Sequence, residues 1–191
     1  IVYTRELTYG FYIWNTFLAV MPVFFSRQLI GLNKFSLKAA LLIVCWLAFF
    51  PNAPYIITDL FHYTEKPPVP KWFDLLLVTS AAWNGLILGI ISLMQVEQFL
   101  TRLLHQLWVK VIIITSFGLC GYGIYIGRFL RFNSWDVITN PGDLMYVSAH
   151  HILQPHEHTR TWGFTLLFAI MFGIIYFTLK QLRISTINNQ N

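Results

Sequence analysis

Charge is what this sequence has least of: Asp, Glu, Lys and Arg together make up 11% of 191 residues, against about a quarter in a soluble domain. So few ionic groups cannot cover a water-facing surface, which makes lipid the solvent for most of the chain. Cysteine is equally scarce. Cys45 and Cys120 both sit inside apolar stretches, where a thiol packs as a small hydrophobe, and no disulfide framework is expected. The chain also lacks a Gly-rich phosphate loop, a nucleophile elbow, a haem-attachment pair, and the H-E-x-x-H and H-x-x-x-H spacings. Those absences remove the motif-based grounds for phosphoryl transfer, serine hydrolysis or zinc proteolysis, and leave any cofactor unassigned. Its 13 basic residues are scattered through loops rather than aligned in one stripe. No nucleic-acid partner is therefore expected, and membrane lipid is the natural one.

Apolar residues, by contrast, make up 56% of the chain and fall in long blocks. Blocks at about 8–25, 37–63, 72–93, 108–126 and 162–179 approach the roughly 20 helical residues that cross a 30 Å hydrocarbon core. They predict an all-α, polytopic transmembrane bundle of about five spans, forming a single domain over 1–191. The first block has no small-residue cleavage site and reads as a retained helix. Trp72 and Trp108 mark interfaces where the third and fourth spans begin, while Arg27, Lys180 and Arg183 mark ends. Gly118, Gly121, Gly123 and Gly127 in the fourth span suit close helix packing.

Five spans place the N-terminus, the second-to-third loop and the fourth-to-fifth loop on one face. Lys and Arg divide almost evenly between the two faces, but acids do not. Glu6, Asp59, Glu65, Asp74, Asp136, Asp143 and Glu157 fall on the first face and Glu97 alone on the second. If nearby acids neutralise Arg128 and Arg131, the surplus of basic residues lies on the second face, which is then cytoplasmic. The polar face would then look outward, toward the periplasm if the membrane is the bacterial cytoplasmic one that the resemblance given below implies. His62, His150, His151, His156 and His158 gather on that same face.

Three constellations there could carry chemistry. In the first, Pro51-Asn52-Ala53-Pro54 breaks the second span, since two prolines this close interrupt the hydrogen-bond ladder. Phe50 is reached after roughly 20 Å of helix from Leu37, so the break falls inside the bilayer and is expected to line a cavity. A short helix then resumes over Tyr55–Tyr63, with Tyr55, Asp59 and His62 on one face. Asp59 and His62 could form a general-base pair or bind a ligand, or simply pair at the interface. Asn52 suits the freed backbone better than a substrate.

The second constellation is Arg128 and Arg131, three apart as the fourth helix leaves the membrane, with Asn133, Trp135 and Asp136 just beyond. Paired guanidinium groups suit a phosphate or carboxylate, and internal pairing with Asp59 or Asp136 is the alternative. Counting along the helices places Asp59 and Arg128 at similar depth and predicts that they meet. The third is His150-His151 with His156-Glu157-His158. Neighbours on a helix point apart and no zinc spacing is present, so no metal is expected there. Asn140-Pro141-Gly142-Asp143 reads as the cap and first turn of a short surface helix with Leu144, Val147 and His151 on one face. Asn15 and Asn84 lie in the first-face halves of their spans, as packing glue or cavity borders.

The Phe50–Leu60 and Gly127–Asp136 segments closely resemble an uncharacterised bacterial membrane family, domain of unknown function 1361. Trp14-Asn15 and the overall spacing are similar too, so the resemblance covers most of the chain. It implies a membrane fold and a further hydrophobic segment ahead of residue 1, but no activity. Two functions compete. One is a non-catalytic subunit or scaffold of a membrane assembly. The other is a one-sided polar pocket for an anionic ligand or lipid head group, compatible with a membrane-embedded enzyme, drawn from Asn52, Tyr55, Asp59, His62, Asn84, Arg128, Arg131, Asn133, Trp135 and Asp136.

Overall fold

Apolar blocks of this length have one way to satisfy their backbone in lipid, and the chain takes it. The computed structural model describes residues 10–62 and 70–188, and all regular structure among them is helical. The elements are α1 (Gly10–Ile30), α2 (Leu37–Phe49), α3 (Asn52–Tyr55), a 3₁₀-helix (Ile56–His62), α4 (Lys71–Thr101), α5 (Gln106–Phe129), α6 (Asp136–Thr139), α7 (Pro141–Leu153) and α8 (Thr159–Asn188). Among the described residues, five segments are long and apolar enough to cross a bilayer: Gly10–Ile30, Leu37–Leu60, Lys71–Thr101, Gln106–Phe129 and Thr159–Arg183. Between 28% and 39% of each apolar stretch is buried, so most of the span surface is left for hydrocarbon.

Most helices outrun their apolar blocks. α1 continues to Ile30 and α4 to Thr101, because hydropathy registers only the lipid-buried part while the hydrogen-bond ladder persists into the interface. Polar contacts hold those extensions. Ser26 Oγ donates to Gln95 Oε1 at 2.7 Å, and Arg102 Nη1 donates to the Ile30 carbonyl at 2.9 Å. The second of these satisfies a carbonyl that the end of α1 would otherwise leave without a partner.

Contacts divide the chain into two compact units, Ile1–Val109 and Lys110–Asn191, each described by itself. The sequence offers no hint of this boundary, because it falls inside α5 rather than in a linker. In the first unit, α1 and α4 run parallel, with α2 and α3 antiparallel beside them. Ser36 caps α2 by accepting from the Ala39 N–H at 3.3 Å. Trp46 Nε1 donates to Ser92 Oγ at 3.2 Å, and the Trp46 ring stacks on Phe50. Ala19, Ala53, Ile56 and Ala82 form a core of small side chains. Gly85 faces the Ala53 carbonyl so closely that a Cβ there would collide with backbone.

In the second unit α5 packs on α8. Gly121 does what the sequence asks of it, since a Cβ would come within 2.6 Å of the Thr165 carbonyl oxygen. Gly118 does not, for nothing lies within 4 Å of its Cβ position. Phe117 meets Phe172, Tyr176 and Phe177 edge-on. The short helix foreseen in the fourth-to-fifth loop is α7. Its Leu144 and Val147 are half-buried and His151 is buried, so that face turns inward. Asn140 caps it differently from expectation: its amide donates to Asp143 Oδ2 at 2.8 Å, with no side-chain bond to the backbone.

Candidate functional site

The proline pair alters α2 without opening it into a loop. Phe50, Pro51 and Ile56 all keep right-handed helical angles. The Ala53 N–H bonds to Phe50 O at 3.2 Å, a carbonyl that Pro54 has no hydrogen to serve. That shift frees the Phe49 carbonyl, and Asn52 Nδ2 donates to it at 3.0 Å. The chain then tightens into the 3₁₀-helix, where Thr58 Oγ1 donates to Tyr55 O at 2.7 Å. With three residues per turn, positions three apart align and positions four apart do not. Asp59 and His62, three apart within it, stay in line along the backbone, while Tyr55 belongs to the preceding α3. Asp59 is buried, and the side chain of His62 lies outside the described ones.

The arginine constellation is also rearranged. α5 ends at Phe129, and Arg131 adopts φ 62°, the left-handed region. Leu130 N and Phe132 N both donate to Ile126 O at 3.2 Å, closing the helix around that residue. Arg128 and Arg131 thus do not share a helical face, because the helix has stopped between them. Beyond, Asp136 serves its own turn: Oδ2 accepts from Asn133 N–H at 2.6 Å and Oδ1 from Thr139 Oγ1 at 3.1 Å. With Asp136 N donating back to Asn133 O at 2.9 Å, these bonds close one local turn. Trp135 is exposed. The expected pair of Asp59 and Arg128 draws one member from each unit.

Asn15 and Asn84 part company. Asn15 is buried, and its Nδ2 has no hydrogen-bond partner among the described residues. Asn84 is exposed and lines a groove of about 830 Å³ between the early halves of α1 and α4. Tyr12, Thr16, Trp72, Leu76 and Ser80 also line it. Asn84 Nδ2 donates to the Ser80 carbonyl at 2.8 Å and lies 3.5 Å from Ser80 Oγ. Its carbonyl oxygen takes no hydrogen bond among the described residues. Between Asp74 and Gln95 the helix is free of charge for about twenty residues, roughly 30 Å, and Asn84 stands at the middle.

A second constellation, not visible along any one helix, forms where α7 turns into α8. Pro155 cannot continue α7, and Glu157 N and His158 N donate back to Gln154 O and Pro155 O at 3.2 Å each. This tight turn sets His158 against the last turn of α7. His150 Nδ1 and His158 Nε2 lie 2.8 Å apart, and the His151 and His158 ring centroids are 4.4 Å apart. One donor atom each from His150, Glu157 and His158 all fall within 4.8 Å of one another. His151 points the other way, its Nδ1 3.0 Å from the Tyr122 hydroxyl, which is also 3.1 Å from Ser148 Oγ. Trp162 Nε1 donates to the His151 carbonyl at 3.1 Å. Burial, and then the nearby His158 and His150, hold the His151 imidazole below its usual range. The sequence names these histidines, but the reversal at Gln154-Pro155 is the signal that joins them.

Among the described residues, five helices long and apolar enough to cross a bilayer, with no strand beside them, are consistent with a multi-pass membrane protein. The chain belongs to the family described as a protein of unknown function, DUF1361, which matches residues 14–175. No curated protein and no solved structure is found to match it.

Proposed function

We propose that this protein is a non-catalytic subunit of a membrane assembly, and that a partner's transmembrane helix occupies the groove between α1 and α4. The observation carrying this reading is the Asn84 amide, open to the groove at the middle of the apolar stretch. An acyl chain offers such a group no hydrogen bond, whereas a neighbouring helix bearing a hydroxyl or amide does. Several polar groups of the expected ligand pocket meet local needs instead, as Asn52 and Asp136 do. The remaining apolar faces are covered by lipid. The charge distribution supports an orientation with the acidic and histidine-rich face outward, toward the periplasm if the membrane is the bacterial cytoplasmic one that the family resemblance implies.

The test is site-specific photo-crosslinking in native membranes from Ile13 or Leu76 in the groove and from Leu167, an exposed position of the second unit. A discrete protein adduct is expected from the groove positions alone. Asn84→Leu should weaken it by about 0.6–2 kcal/mol, the range of interhelical hydrogen bonds in membranes, while leaving the thermal stability of the isolated chain unchanged. Lipid adducts only, or equal protein adducts at all three positions, would overturn the proposal.

A further inference from the structure

We infer that the turn between α7 and α8 is a binding site for a divalent transition metal, held by His150, Glu157 and His158. The donors come from two elements: His150 from the last turn of α7, Glu157 and His158 from the turn that opens α8. Their ligand atoms already lie within 4.8 Å of one another. Two imidazole nitrogens and one carboxylate oxygen suit zinc, cobalt or nickel, while magnesium and calcium favour sets built of oxygen.

The 2.8 Å His150–His158 contact is a hydrogen bond between two ring nitrogens that share one proton. A metal bound at about 2.0–2.1 Å from each nitrogen holds a tetrahedral pair roughly 3.3 Å apart. The rings therefore need to separate by about half an ångström, and the ion takes the place of the shared proton. Glu157 is exposed, so the site opens to water and leaves a coordination position outside the protein.

The support behind the donors is fixed from two directions. The Trp162 indole donates to the backbone carbonyl of His151, and its ring stacks on Tyr122, which in turn bridges Ser148 and His151. These bonds tie α7 to both α5 and α8 without using any of the three donors. Such support is what sets a metal site apart from a mobile surface histidine patch. His156, in the same turn, stands outside the cluster and supplies an internal control.

The experiment uses the tag-free full chain in detergent, stripped with chelator and titrated with Co²⁺ and Zn²⁺. One ion per chain is expected by calorimetry and elemental analysis, with the visible absorption band of Co²⁺ bound by nitrogen and oxygen. Glu157→Gln, at an exposed position, should weaken binding at least about tenfold with the helical circular dichroism intact. His150→Ala and His158→Ala should abolish the Co²⁺ band, and His156→Ala should leave it in place. Absence of saturable binding at submillimolar metal would overturn the inference. So would an equal loss on His156→Ala, which would indicate chelation by loose surface imidazoles.

Discussion

Arg131 is a bulky residue in a backbone conformation that glycine occupies without strain. Holding an L-residue at φ 62° costs roughly 1 kcal/mol, and the exposed Arg131 side chain offers no burial to offset it. Arg131→Gly is therefore expected to raise the unfolding temperature or leave it unchanged, and Arg131→Val to lower it, since β-branching makes this region still less accessible. Thermal unfolding of the detergent-solubilised variants checks both. A marked loss of stability in Arg131→Gly would show that the guanidinium itself holds the turn. This residue also marks a limit of reading sequence. The resemblance-bearing segment around it was legible, but the end of the helix before Arg131 was not, because nothing local announces a left-handed arginine where asparagine or glycine is customary. Asn52 is the opposite case. Two prolines free backbone groups in a known place, and a neighbouring amide is the ready remedy.

At the scale of elements, hydropathy located all five spans but clipped the ends of most of them, for it cannot see a helix prolonged by Ser26–Gln95 or by Arg102 on the α1 terminus. Glycine positions were legible as a class and not one by one. Gly85 lets α4 approach the Ala53 carbonyl, whereas Gly118 meets nothing. Because the obstacle at Gly85 is backbone, it cannot swing aside as a side chain can. Gly85→Ala should cost about 1–3 kcal/mol, the usual penalty for overpacking. Gly118→Ala should be neutral or stabilising, as alanine favours the helix. Equal unfolding temperatures for the two variants would mean that the α3–α4 contact contributes little. The pairing within the imidazole cluster was illegible for a related reason: its donors sit on the end of α7 and on the turn after it, and a rule based on spacing within one helix cannot pair them.

For the whole molecule, the sequence gives a side to each loop through its charges, and that assignment can be tested directly. In intact cells a membrane-impermeant maleimide should label His156→Cys, in the α7–α8 turn, and spare Lys34→Cys, in the α1–α2 loop. Cys120 is buried and Cys45 half-buried, which keeps the background low. The reverse pattern would invert the proposed orientation. What no reading of charge or hydropathy provides is the uneven bonding along α1 and α4. Their later turns are tied together by Ser26–Gln95 and Arg102–Ile30, while their early turns border the 830 Å³ groove. A recess confined to one end of a helix pair is met by the lipids of one leaflet only, so the acyl chains of that leaflet compete with a partner helix for it. Spin labels at Ile13 and Leu76 should therefore be quenched by lipid-borne relaxation agents of that leaflet alone, and be shielded from them when a partner helix fills the groove.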